Sequence, residues 1–203
     1  MKIPNPLSHA YLITGGSPDS RAAFAREMAA AYLCEGERPP CSTCRHCRKV
    51  SNSIHPDVSR TTVPPDKREI LVDQIRALRT DVYIRPNEGK RKVYIIDPAD
   101  SMNASAQNAL LKVLEEGPQY TAFLLLAGEP GKLLDTVRSR CENLNLPLEE
   151  DQPDPDLLVK AEELAKLLLT GDELTVAVGL TRLEQEKLKS GQLAELLALT
   201  ERC

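Results

Sequence analysis

Two short, almost wholly apolar runs, Val93-Tyr94-Ile95-Ile96 and Ala122 to Ala127, constrain the fold more than any other feature of the chain. Each is too short for a buried helix, and an unbroken apolar run means that both faces of the strand are covered. Strands of this kind belong to parallel sheets, whose crossover connections lay helices on either side. The flanking segments agree. Ala10-Tyr11-Leu12-Ile13-Thr14 reads as a strand, closed by Gly15-Gly16-Ser17-Pro18, after which Ala25, Met28, Ala29 and Tyr32 recur at helical spacing. A strand is expected around Val58 to Val63, then an amphipathic helix carrying Ile70, Leu71, Ile75 and Leu78. Ala106, Ala109, Leu110, Val113 and Leu114 form one helix face that stops at Gly117-Pro118. Leu133, Leu134, Val137 and Cys141 mark a further helix, and Asn143 to Leu146 a short closing strand. The fold class expected is α/β, with a central parallel β-sheet flanked by helices.

Charge divides the chain. The formal net charge of −4 over 203 residues averages 20 basic and 17 acidic side chains in residues 1–147 with 6 and 13 in residues 148–203. All seven Phe and Tyr lie in the first part. With 3% aromatics and a net of only +3 there, binding of nucleic acid by stacking and counterion release alone is disfavoured. An acidic, Pro-rich linker is expected at 148–155, and a Leu-, Ala-, Glu- and Lys-rich helical segment at 156–203. The latter has a small core and no aromatic anchor, so it calls for a partner surface. The chain stops at Cys203 inside an unfinished helical pattern, so a longer natural protein is expected. No stretch of 18 apolar residues exists, and residues 1–8 do not have the form of a secretory signal. A cytoplasmic protein is expected, whose six cysteines are not structural disulfides.

Four of those cysteines, Cys34, Cys41, Cys44 and Cys47, follow the spacing C-x6-C-x2-C-x2-C. Four soft thiolates at this density suit a tetrahedral Zn site, with an Fe–S cluster as the alternative metal. A redox pair would not need four sulfurs, and residues 35–49 are too polar for the cysteines to be plain core residues. With no further ligand evident the site is expected to be structural, holding an insertion at about 34–50 by ~10–16 kcal/mol. His46 is then redundant and expected in solvent. Arg45, Arg48 and Lys49 form a small basic run, read as a solvated face or a contact for an acidic partner or DNA. His55, beside Pro56, is expected to be structural, and Cys141 a buried thiol.

The strand, glycine turn and helix at residues 10–32 stand where a phosphate-binding loop stands, and Asp97 ends a strand where a Mg²⁺-organising acid stands. A working loop has the pattern G-x4-G-K-[ST]. Counted from Gly15, with Gly16 next to it, the second glycine is Ser20, the lysine Arg21 and the hydroxyl residue Ala22. The residue after Asp97, where a water-activating acid is normal, is Pro98. Gly15, Gly16, Ser20, Arg21 and Asp97 are therefore candidates for a degenerate, inactive nucleotide site. Asp97 and Asp100 are read as strand-end and helix-capping residues rather than metal ligands.

From His9 to about Leu146 the chain resembles the AAA+ module of bacterial clamp-loader subunits, within them the delta prime subunits of DNA polymerase III. The resemblance rests on His9-Ala10-Tyr11-Leu12, the cysteine insertion after the first helix and His55-Pro56-Asp57. It continues through Lys92-Val93-Tyr94-Ile95-Ile96-Asp97, Asn108-Ala109-Leu110-Leu111-Lys112-Val113-Leu114-Glu115-Glu116 and Ser139-Arg140-Cys141. It implies an ATPase-silent subunit, since motor subunits keep the loop and an Asp-Glu pair, and Ala127 stands where active members carry a polar sensing residue. By the same resemblance Arg140 is a trans arginine finger, reaching the ATP site of a neighbouring subunit; without it Arg140 reads as a surface or capping arginine. Only the family match singles out Glu115 and Glu116. The implied cofactor is structural Zn, with ATP binding not expected in this subunit. Implied partners are motor and delta-type loader subunits, with the sliding clamp and primed DNA reached through the assembled complex, and no membrane. Family members assemble through a C-terminal helical collar, of which residues 156–203 would be part, but the usual helical lid has no place between module and collar. Two rival readings are an active AAA+ ATPase or motor-type subunit, and a zinc-dependent nucleic-acid-binding module.

Overall fold

A computed structural model describes residues 2–147 together with 165 and 166. Contacts divide the chain into Met1–Leu148 and Glu149–Cys203. The expected linker at 148–155 and helical segment at 156–203 lie, apart from those two positions, outside the described residues.

The first unit runs β1 (Ala10–Gly15), α1 (Pro18–Leu33), α2 (Arg45–Ser51), β2 (Val58–Thr61), α3 (Val72–Asp81), β3 (Lys92–Ile96), α4 (Ala104–Glu116), β4 (Thr121–Leu126), α5 (Asp135–Arg138) and β5 (Glu142–Leu146). All five strands are parallel, in the order β2-β3-β4-β1-β5. The two apolar runs are adjacent central strands, every residue of which is buried.

Alternation along each strand feeds two cores. Leu12, Tyr94, Ile96, Phe123 and Leu125 face Ile75 and Leu78 of α3, Leu110, Val113 and Leu114 of α4, and Val137 of α5. Tyr11, Ile13, Val93, Ile95, Leu124 and Leu126 face Phe24, Ala25, Met28 and Ala29 of α1, with Cys47 and Val50 of α2. Each aliphatic side chain so buried contributes about 1.5–3 kcal/mol, which is why the sheet tolerates so few polar positions. Helix starts are set locally: Ser17, Cys44 and Asn103 accept hydrogen bonds from Ser20, Cys47 and Ala106 backbone N–H groups and cap α1, α2 and α4.

Two expected helices come out shorter. Ile70 makes a β-bridge to Met102 and Leu71 is the N-cap, so α3 begins at Val72. The periodicity of Leu133, Leu134, Val137 and Cys141 yields a single turn, because the chain must be extended from Glu142 to pair with β1.

Candidate functional site

The turn after β1 lies at the carboxyl edge of the sheet, beside the chain's topological switch, where α/β folds place ligands. Gly15 and Gly16 adopt φ of +71° and +53°. A Cβ on Gly15 would stand 2.2 Å from the Leu146 carbonyl, and one on Gly16 would stand 2.4 Å from Ser20 Oγ. Glycine is required at Gly15, where the obstacle is backbone, and favoured at Gly16 by its positive φ. Ser20 donates its hydroxyl to the Ser17 carbonyl at 2.9 Å. Arg21, 9% exposed, donates to the carbonyls of Gly15 and Gly16, both at 2.9 Å. The cation at the lysine position is thus engaged by loop carbonyls. Asp97 accepts from Arg60 of β2 at 2.5 Å, so its charge is matched by a side chain of the neighbouring strand. Asp100 accepts the Glu129 N–H at 2.6 Å. Gly15 and Gly16 of the turn meet Ser20 and Arg21 of the first turn of α1, while Asp97 ends β3, two strands away from β1.

Arg140 lies elsewhere. Its guanidinium pairs with Glu115 near the end of α4 and donates to the Thr136 carbonyl at 2.7 Å. It precedes β5, whose first residue, Glu142, is in register with Tyr11, whereas Gly15 is in register with Leu146. At about 3.3 Å per strand residue, the start of β5, two residues after Arg140, is therefore roughly 13 Å along the sheet from the glycine turn. Cys141 is buried, and burial pushes its thiol up to about 12.

The four cysteine Sγ atoms of the insertion all lie within 4.8 Å of one another. A tetrahedral site with metal–sulfur bonds of about 2.3 Å needs sulfurs roughly 3.8 Å apart, so the donor set can hold a metal ion. Backbone N–H groups of Gly36, Cys44 and Cys47 point at Cys34, Cys41 and Cys44 Sγ at 3.2, 3.3 and 3.4 Å. The Thr43 hydroxyl, with backbone N–H groups, lowers the Cys41 thiol to about 5. Burial pushes the Cys47 thiol up to about 12, a direction that a bound cation would oppose.

His46 departs from expectation: it is 1% exposed, not solvated. The 3.6-residue period carrying Cys47 and Val50 inward on α2 takes His46 with them, a signal present in the sequence. His55 Nδ1 accepts the Asp57 N–H at 3.0 Å, His55 Nε2 is hydrogen-bonded to His46 Nδ1 at 2.8 Å, and His46 Nε2 lies 3.2 Å from both the Glu35 carboxylate and the Arg45 Nε–H. His46, His55 and Glu88 also converge within 4.8 Å. There the facing imidazole nitrogens are already joined, and Glu88 is paired with Lys49 at 2.5 Å.

Asp57 continues the chain of bonds by accepting N–H groups of Asn87, Glu88 and Gly89 at 2.5, 2.8 and 2.7 Å. Its residue is 1% exposed. Burial alone would raise the carboxyl, but these three donors outweigh it and hold the pKa below the ordinary value. Asp57→Asn leaves donors facing an amide, and a cost of about 2–4 kcal/mol is expected in urea denaturation at pH 7. A depressed folded pKa contributes stability that is complete above the unfolded value near ~4 and is lost as pH falls through the folded value. The gap between wild type and Asp57→Asn should therefore narrow below about pH 4, and a constant gap would refute the assignment.

The parallel sheet and the glycine turn define a P-loop-type α/β module, with a cysteine insertion after its first helix. Residues 3–150 match the sequence model of the family described as DNA polymerase III, delta subunit, and the chain belongs to that family. It is 40% identical over 148 residues to the DNA polymerase III subunit delta' of Bacillus subtilis, covering 72% of this chain and 44% of that protein. It is 36% identical over 165 residues to the delta' subunit of Pseudomonas aeruginosa, covering 79% and 48%. The DNA polymerase III subunit tau of Bacillus subtilis is 36% identical over 145 residues, covering 70% of this chain and 25% of that one. The chain thus spans less than half the length of these relatives. A crystal structure of a gamma subunit-related protein of Thermotoga maritima shares the fold, with a TM-score of 0.53 at 20% identity, covering 94% of this chain and 72% of that one. Among the described residues no helix is long and apolar enough to cross a membrane.

Proposed function

We propose that the chain is a non-hydrolysing subunit of the DNA polymerase III clamp loader, acting in the cytoplasm as a stator in ATP-dependent loading of the sliding clamp during DNA replication. In this reading it lends Arg140 to the ATP site of a motor subunit beside it. The observation that carries the reading is the position of Arg140 just before the start of β5, whose end is set against the chain's own glycine turn. From there it is proposed to serve another chain's loop and not its own. Its present anion, Glu115, is a partly exposed carboxylate that solvent screens, so a γ-phosphate can take its place. Motor and delta-type subunits are the direct partners proposed, with the clamp and primed DNA met through the assembly; relatives named delta' and tau support this setting.

The same reading makes the nucleotide site silent. Arg21 is turned onto loop carbonyls, Asp97 is neutralised by Arg60, Ala22 offers no hydroxyl and Pro98 no base. The cysteine cluster holds structural Zn²⁺: Cys34, Cys41, Cys44 and Cys47 are its ligands, and the ion supplies cross-linking rather than catalysis. The purified chain should show no Mg²⁺-dependent ATP turnover above background. The double change Arg21→Lys with Ala22→Thr should not create it, because the residue at 98 still has no proton acceptor. Turnover by the wild-type chain would return the motor-type reading.

A further inference from the structure

Where α2 of the cysteine insertion lies against α1, the two leave a groove with two lobes. One lobe, of about 160 Å³, is walled by Ala22 and Ala29 of α1, Val50 and His55 of the insertion and its exit, and Val58 and Ile95 of the sheet. The other, of about 310 Å³, lies between Ala30 of α1 and Pro40, Ser42 and Cys47 of the insertion. Arg26 and Val50 line both lobes, so the two lie side by side with Arg26 shared between them.

The charge is unspent. Arg26 is exposed and takes part in none of the ion pairs or side-chain hydrogen bonds among the described residues. Arg48 of α2 donates only to the Thr43 carbonyl, at 2.8 Å, while Arg60 at the rim is paired with Asp97. Glu27, beside the second lobe, is the one acid among the lining residues. The apolar surface also extends past the cavity, because Ile54, between the lining residues Ser53 and His55, is 66% exposed. A small molecule confined to one lobe would leave that surface uncovered. Nucleic acid fits less well, since no Phe, Tyr or Trp lines either lobe to stack a base.

We propose that this groove docks a short segment of a partner protein in which one Asp or Glu lies between two apolar side chains. The apolar residues enter the lobes and the carboxylate meets Arg26, giving two anchored contacts about one charge-assisted hydrogen bond. The insertion then has a role beyond its own stability, because Cys47 forms part of one wall. Loss of the metal opens that wall and removes the site.

The test uses the full, metal-loaded chain and fluorescein-labelled synthetic peptides carrying one Asp between two Leu at separations of one, two or three residues. At least one peptide should bind saturably, with Kd below about 100 µM by anisotropy. Replacing its Asp by Asn, changing Arg26→Glu in the protein, or stripping the metal should each weaken binding about tenfold or more. A peptide with Lys in place of Asp should bind Arg26→Glu better than it binds wild type. Arg26→Gln, which keeps the reach of the side chain, replaces Arg26→Glu if that variant does not fold. Absence of saturable binding by every peptide overturns the proposal. So does binding unchanged by the Arg26 substitution, or an Arg26-dependent affinity for a single-stranded oligonucleotide in place of the peptides.

Discussion

In a complex reconstituted with an intact motor subunit, Arg140→Ala is expected to cut DNA-stimulated ATP turnover at the site it serves by ~10³-fold or more, with assembly unaffected. The size follows from the job: an arginine meeting charge that develops on a transferring phosphoryl group acts only in the transition state, so its loss falls on turnover rather than on nucleotide affinity. The variant should fold, because the guanidinium is partly exposed and bonds only the Glu115 carboxylate, the Thr136 carbonyl and the Ser139 hydroxyl. Arg140→Lys keeps the charge but not the planar pair of donors, and should recover only a small part of the rate. Single-turnover measurement on the assembled complex separates this site from others that do not use it. Unchanged turnover in a fully assembled complex would sink the assignment.

The second large effect is metal removal. One Zn²⁺ per chain is expected by metal analysis, and chelation, or Cys47→Ala, should unfold the insertion and not merely loosen it. The segment from Cys34 to Cys47 buries little besides Cys47 and His46, so its order depends on four shared thiolates worth ~10–16 kcal/mol when metal-bound. The damage should travel along the hydrogen-bonded line of Glu35, His46, His55 and Asp57 to the backbone of Asn87, Glu88 and Gly89. Hydrogen exchange should therefore quicken at residues 87–89 as well as at 34–51. A metal-free protein with both segments protected would refute the role given to the cysteines.

Much of the scaffold was legible because burial on both faces leaves a local mark. The runs at 93–96 and 122–127 could be nothing but central strands, and the face of α4 is spelled out by Ala106, Leu110, Val113 and Leu114. The departure from the phosphate-loop pattern was equally plain, since Arg21, Ala22 and Pro98 are single residues at counted positions. Helix limits were less so. Ile70 has a helix-compatible spacing and yet makes a β-bridge to Met102, a partner 32 positions away. His46 looked dispensable among four cysteines, and its burial depends on the encounter with His55 across a turn.

By itself the sequence determined the parallel sheet, the four-cysteine insertion and the departure of the glycine turn from the phosphate-loop pattern, because each depends on which side chains stand at short, countable separations. Tertiary structure alone decided how these parts face one another. Parallel pairing of β5 with β1 sets the start of β5, just after Arg140, against the start of β1 and its end against Gly15, and packing of α2 on α1 places Arg26 on a groove. Both outcomes rest on strand register and helix packing between segments distant in the chain, and local composition does not encode either.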